Sequence, residues 1–405
     1  MVSKNILLTF LISFILIVFS SCKEDKRILE KIDFTTDYKF LSDIENEVSN
    51  SKEYQRSGTY FALKGDYKNA LIQWDLMGGK EEVFSKEQID SIKLKYKIVN
   101  ASDYIIDKAK ENQIIIINEA HHNSFHRFFT KTLLKGLYEK GYTNLGLEAL
   151  ANNDSLNSAL NNRKYPIQKT GYYTKDPQFG NLIRDALEIG YKLFAYETLG
   201  SESGKPREID QAKNIEKVID SRPNEKFLIH CGYDHALEGA HNYWEKAMAS
   251  RLTEYTGINP LTINQASYSE RSRPELNHPF LKALNFNESS ILIDNKNNPL
   301  RYEREDAWAD IAVFHPNTEY INNRPNWLFE NGNKNVPVKL NDIEIDFPVM
   351  VLACKKGENL TTAVPIDIKE VESKTENCNL GLRKGVYEVV VTNGKESVKF
   401  EQQVK

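Results

Sequence analysis

Glutamate and histidine recur together in four short stretches of this 405-residue chain. Asn118-Glu119-Ala120-His121-His122 is followed by His126, Glu148 closes the run Leu145-Gly146-Leu147, Glu197 follows Tyr196, and His230-Cys231-Gly232-Tyr233-Asp234-His235 forms the last. Imidazole and carboxylate exchange protons near neutral pH, paired carboxylates shift each other's pKa, and the same donors suit a divalent metal. Arg207, opening a helical stretch, could neutralise an anionic group or a developing oxyanion, and Gly232 would let the backbone turn sharply and bring its amides to a ligand. Each residue has a plainer reading as well. Glu148 or Glu197 alone could cap a helix, His126 could be the first exposed residue of an amphipathic helix, and Cys231 reads as a buried, inert thiol. His241 and His278, in polar sequence, read as surface residues, and His315, before Pro316, as structural.

The elements that must position these groups show in the apolar pattern. Ile114–Ile117, Leu145–Leu147, Leu193–Tyr196 and Phe227–Ile229 read as short buried strands. Between them lie helices: a stripe of Phe125, Phe129, Leu133 and Leu137, a segment from Leu182 to Ile189 ending at Gly190, and a stripe of Ile209, Ala212, Ile215 and Ile219 before Pro223. This alternation predicts an α/β fold, a mostly parallel sheet covered by helices. Ligands bind beyond the carboxyl ends of such strands, and all four acidic or histidine-bearing stretches begin there. Residues 22–100 read as a helical N-terminal lead-in, 101–335 as the α/β domain, and 336–405 as a small C-terminal β-sandwich whose last strands meet at the hairpin signal Asn393-Gly394. Within the lead-in, Gly58 to Trp74 resembles one tetratricopeptide unit, which must pack on the main domain to bury its apolar face.

The motifs taken together resemble the erythromycin esterase, ChaN and Tiki/TraB superfamily over roughly residues 105–330. The resemblance rests on Asn118 to Phe129, Glu148, the Arg207-led helix and His230 to Gly239. It implies a site drawn from Glu119, His121, His122, His126, Glu148, Glu197, Arg207 and His235. The chain departs from the pattern at Asn118, where glycine is common, and it doubles the motif histidine, so that either His121 or His122 is the equivalent residue. The expected activity is hydrolysis of a small ester or amide by activated water without a covalent intermediate, since no Ser or Cys has a nucleophile-elbow context. His121 or His122 would be the base, oriented by Glu119 or Glu148, His235 its partner, and Arg207 the anion stabiliser. A second form places manganese or zinc among Glu119, His121 and His235. The competing reading is a ChaN-type lipoprotein that binds haem or an iron ligand through Tyr172, Tyr173, Tyr196, Tyr233 or the histidines and does no chemistry.

The chain begins with Lys4 and an apolar run from Ile6 to Phe19, then Ser20-Ser21-Cys22 and the charged Lys23-Glu24-Asp25-Lys26. This resembles a signal peptide, residues 1–21, ending in a lipobox whose Cys22 is diacylated, and it predicts a lipid-anchored protein in the periplasm or at the cell surface. The expected partners are a small-molecule substrate or ligand and the membrane. A net charge of −4 without long like-charge blocks offers nothing to nucleic acid. Cys354 and Cys378 could pair in an oxidising compartment.

Overall fold

The computed structural model describes residues 27–200 and 203–405. The expected signal peptide, residues 1–21, and Cys22 lie outside the described residues. Helices α1 (Leu41–Ser51), α2 (Tyr54–Leu63), α3 (Tyr67–Asp75) and α4 (Lys86–Lys95) come first. Asp66 caps α3 by accepting from the Asn69 amide, and Ser85 with Gln88 forms a reciprocal capping box on α4. Gly58 lets α2 approach closely: a Cβ there would lie 3.3 Å from the Ala70 carbonyl of α3 and 3.5 Å from Cβ of His122. The segment that resembles a tetratricopeptide unit is thus a pair of packed helices resting on a motif histidine.

The chain then alternates β1 (Tyr96–Asn100), α5 (Ala101–Lys108), β2 (Ile114–Glu119), α6 (Phe125–Glu139), β3 (Tyr142–Leu147), α7 (Asp154–Arg163), α8 (Pro177–Ile189), β4 (Lys192–Ala195), α9 (Lys205–Asp220), β5 (Lys226–Gly232), α10 (Met248–Thr256), β6 (Leu261–Asn264), β7 (Ser290–Asp294) and β8 (Ile311–Phe314). These eight strands form one sheet in the order β1-β7-β8-β6-β2-β5-β3-β4. Every neighbouring pair from β8 to β4 is parallel, and β7 alone runs the other way. The fold is therefore α/β with a mostly parallel sheet. Its central strands have no polar face because both faces are covered: Ile115 and Ile117 pack with α6 and α8, and Ile114 and Ile116 with α9 and α10. Asp176, with Pro177 behind it, caps α8 through the amides of Gln178 and Phe179, and Gly190 ends it in the left-handed region at φ 119°. The strands β2, β5, β3 and β4 lie side by side, so their carboxyl ends share one rim.

Residues from Lys334 on contain β9 (Lys334–Pro337), β10 (Val349–Lys355), β11 (Asp367–Val371), β12 (Asn379–Leu382), β13 (Gly385–Thr392) and β14 (Ser397–Val404). β14, β13, β10 and β11 form an antiparallel sheet, and β9 pairs with β12 over a shared core of Val336, Leu380, Leu382, Val349, Val389 and Val391. The start of the described chain belongs to this region too, since Glu30 and Lys31 extend the sheet beyond β14. Buried ion pairs join it to the rest: Arg184 of α8 with Glu358, Arg324 with Asp367, and Lys64, just after α2, with Glu370. Cys354 and Cys378 do not pair. They are separate buried thiols, as is Cys231, and burial among apolar side chains pushes the first two up to about 12.

Candidate active site

Glu119 is the last residue of β2 and is fully enclosed. Its carboxylate accepts two hydrogen bonds from Arg127 of α6, from Nε at 2.7 Å and Nη2 at 2.7 Å, and its Oε1 lies 3.0 Å from Nδ1 of His121. Arg127 in turn reaches the His121 carbonyl at 3.0 Å, and its Nη1 lies 3.1 Å from Asp176, the cap of α8. Burial works against the Glu119 anion, but Arg127, His121 and His230 outweigh it and hold the carboxyl well below its usual range. An ionised carboxylate can only accept, so the His121 proton sits on Nδ1 and Nε2 keeps its lone pair. The His121 ring stacks on Tyr173, with centroids 3.8 Å apart, and the edge of Tyr233 closes its other side at 4.9 Å.

A second histidine–glutamate pair stands on the next strand end. His235, in the turn after β5, faces Glu208 of α9, Nδ1 to Oε2 at 2.9 Å, and the same oxygen accepts from the Met248 amide at 2.8 Å. Its Nε2 lies 3.1 Å from Arg207 Nη1 and 3.6 Å from Glu148 Oε1. Burial disfavours the imidazolium, yet Glu148 and Glu208 more than offset that and raise the His235 pKa above its ordinary value. Between the two pairs Glu148 accepts from Arg207 at 2.6 Å and from the Gly232 amide at 2.5 Å, and Arg207 also binds Glu197. Burial opposes ionisation of Glu148 too, but His235, His121 and Arg207 bring it down to about 2.

Gly232 serves a different purpose from the one its sequence context suggests. Its φ of −84° is open to any residue, but a Cβ there would lie 2.5 Å from Cε1 and 2.8 Å from Nε2 of His121 and 3.4 Å from Glu148. The glycine makes room for the His121 ring to lie against the strand, and its amide goes to Glu148 instead of a ligand. Asn118, where the resemblance leads one to expect glycine, accepts from the amides of Gln265 and Ala266 and donates to the Tyr233 carbonyl at 2.7 Å, tying the loops after β5 and β6 to β2.

No family profile and no curated protein matches this chain. Among solved structures, the type III effector HopBA1 is 13% identical with a TM-score of 0.34 over 54% of this chain and 94% of its own. The toxin effector domain RRSP from Vibrio vulnificus is 14% identical with a TM-score of 0.30, covering 52% of this chain and 44% of that one. The C-terminal region of Pasteurella multocida toxin, described as bearing a thiol-protease-like triad, is 11% identical with a TM-score of 0.31, covering 88% of this chain and 50% of that one. This chain thus spans about half the length of the last two.

The structure brings together Glu119, His121, Glu148, Glu197, Arg207 and His235 and leaves two of the candidates outside. His122 turns away and stacks on Trp74 of α3. His126 is not an exposed helix residue: it is fully buried, its Nδ1 accepts from the Ala120 amide at 2.9 Å, and its Nε2 therefore donates to Ser269 at 2.7 Å, which fixes it in a loop-bracing role. His241 is buried against Trp244 and Arg304, contrary to its polar sequence context, His278 is half-buried, and His315 bridges Ser289 and Gln265.

Three members of the cluster escape motif reading: Arg127, Asp176 and Glu208. Glu208 leaves a trace, because it heads a buried stripe with Ala212, Ile215 and Ile219, and a carboxylate on an apolar helix face needs a partner. Arg127 similarly shares the buried face of α6 with Thr130 and Leu134.

The donor set does not make a metal cage. Both oxygens of Glu119 are taken by Arg127, His235 is held between Glu208 and Arg207, and among the described residues no three His, Cys, Asp or Glu side chains are grouped to hold a metal. Guanidinium groups stand where a cation would compete for the carboxylates. Nor are the tyrosines set out as haem ligands. Tyr196 donates to the His230 carbonyl at 2.8 Å, Tyr233 accepts from the His121 amide at 3.3 Å, Tyr173 packs flat on His121, and Tyr172 is exposed.

Proposed function

We propose that this chain is a hydrolase that cleaves a small ester or amide with an activated water and no covalent intermediate. The observation that carries the reading is the convergence of two histidine–glutamate pairs, Glu119–His121 and Glu208–His235, on the two sides of Gly232, with Glu148 and Arg207 between them. His121, holding its proton on Nδ1 toward Glu119, has Nε2 free to take a proton from water. His235, whose two carboxylate neighbours favour its charged form, gives a proton to the leaving group from Nε2, a step that requires Arg207 Nη1 to give up its hydrogen bond to that nitrogen. Arg207 balances negative charge on the tetrahedral intermediate, and Glu148 and Glu197 fix its guanidinium for that task. The Arg127–Asp176 pair keeps Glu119 ionised and in register.

In this reading residues 101–335 are the catalytic domain, residues 22–100 a helical lead-in that roofs the rim, and residues 336–405 a β-sandwich-like support. A lipid on Cys22 would hold all of it at a membrane, in the periplasm or at the cell surface. The test is turnover of an ester and amide panel by the purified chain, with and without chelator. Replacing His121 with Ala should lower kcat by about 10²- to 10⁴-fold, the usual contribution of a positioned base. Chelator should have no effect. Absence of turnover across the panel, together with a Soret band that titrates with haem, would replace this reading with the haem-binding one.

A further inference from the structure

A cavity of about 390 Å³ lies directly behind the base, between the rim and the N-terminal helices, within the range of small-molecule sites. Its walls include Trp74, His122, Tyr233, Asp234, Glu270 and Arg304. Trp74 lies nearly parallel to both His122, at 3.9 Å and 9°, and Tyr233, at 5.7 Å and 12°. Tyr233 is the shared partition: its ring edge meets His121, and its hydroxyl accepts the His121 amide. A molecule filling this cavity would therefore sit beside the acid–base cluster.

The chemistry of the walls is selective. The charges are internally balanced, Arg304 against Asp234 at 2.6 Å and the neighbouring Arg271 against Asp75. Glu270 is tied to the Thr318 amide at 2.7 Å, and burial raises its carboxyl to about 7 against that hydrogen bond. An anionic ligand would have to draw Arg304 or Arg271 from its carboxylate, and a cationic one would have to meet Glu270 in the ionised form that burial disfavours, whereas a neutral one need do neither. His122 is only 5% exposed, and its Nδ1 has no hydrogen-bond partner, a cost that native structures seldom leave unmet. An aromatic wall, an orphaned imidazole nitrogen and paired polar groups suit a ring with apolar C–H faces and hydroxyls at its edge.

We propose that this cavity is a subsite for a neutral sugar ring, so that the ester or amide offered to His121 is carried on a carbohydrate. The second half rests on the hydrolytic reading, and the first does not. The experiment is binding of maltose, cellobiose and N,N′-diacetylchitobiose to the purified chain, by calorimetry and by the imidazole ¹⁵N resonances of His122. At least one sugar should bind and shift the His122 Nδ1 resonance, and Trp74→Ala should weaken that binding by roughly 10-fold or more, as loss of an aromatic contact worth about 1.4 kcal/mol would. Trp74→Phe, which keeps a ring, should retain most of the affinity, and the ¹⁵N shift stands even if the alanine variant fails to fold. No binding of any of the three at about 10 mM, or binding that leaves His122 unmoved, overturns the subsite. Sugar binding without turnover of any ester supports the subsite while removing the hydrolase. Turnover of p-nitrophenyl acetate without sugar binding does the reverse.

Discussion

The two histidines differ in what surrounds them, and that difference is measurable. His235 is the one whose pKa the fold raises, through Glu148 and Glu208 acting against burial. If His235 is the proton donor proposed above, it works below its folded pKa, so kcat/KM should fall on the alkaline side at a pH above the ordinary histidine value. Glu208→Gln removes one of the two supporting charges, and its pH–rate profile should lose activity at lower pH than the wild type. A limb that stays in place would separate His235 from the acid role. The same shift is a stability term. A group whose folded pKa is raised stabilises the fold fully below its unfolded pKa, and loses that contribution as pH rises through the folded pKa. The stability gap between wild type and Glu208→Gln should accordingly be widest in acid and narrow toward alkaline pH. Residue types at strand ends were legible in the sequence, because Glu and His there have few structural uses. Which of His121 and His122 faces Glu119 was not, since adjacent side chains diverge according to a turn that no motif spells out.

At the scale of elements, the strand β5 is the most constrained, because it pairs on both sides and carries the residue against which His121 lies. Gly232→Ala would drive a methyl group to within 2.5 Å of the imidazole. The ring must move, and we expect kcat to fall by about 10²-fold or more, as displacement of a positioned group does, while the thermal midpoint changes little. An unchanged kcat would show that His121 does not work from its position over the glycine. The four strands read from the sequence, β2, β5, β3 and the edge strand β4, are neighbours at one end of the sheet, and their apolar runs mark them as buried. Of the strands that escaped, β1 is half-exposed with no apolar run. The reversed direction of β7 is set by its pairing with β1 and β8, a long-range fact that local pattern does not hold.

Across the whole molecule, the C-terminal sheets are tied to the α/β sheet by ion pairs shut away from water. Arg184 and Glu358 meet at 2.8 Å with both side chains under 10% exposed. Removing one partner of such a pair leaves a buried, uncompensated charge, so Glu358→Ala should destabilise the protein by about 3–5 kcal/mol, read from the denaturant midpoint. The double change Arg184→Met with Glu358→Leu should recover much of that loss. If the single change costs nothing, the sheets are held by their apolar contacts alone. At the other end, if Cys22 carries the proposed lipid, Cys22→Ser should release the chain from the membrane fraction, as no helix among the described residues is long and apolar enough to cross a membrane. Retention of that variant in high salt would reveal a second anchor.

Of the four tryptophans, Trp74 lies face to face with His122, and Trp244 with His235 and His241 at 5.3 Å and 4.2 Å. A protonated imidazole stacked on an indole withdraws its excited-state electron and dims it. The molecule therefore carries its own optical gauge: intrinsic emission should titrate with the charge on His235, and a solute entering beside Trp74 should alter it without any added label.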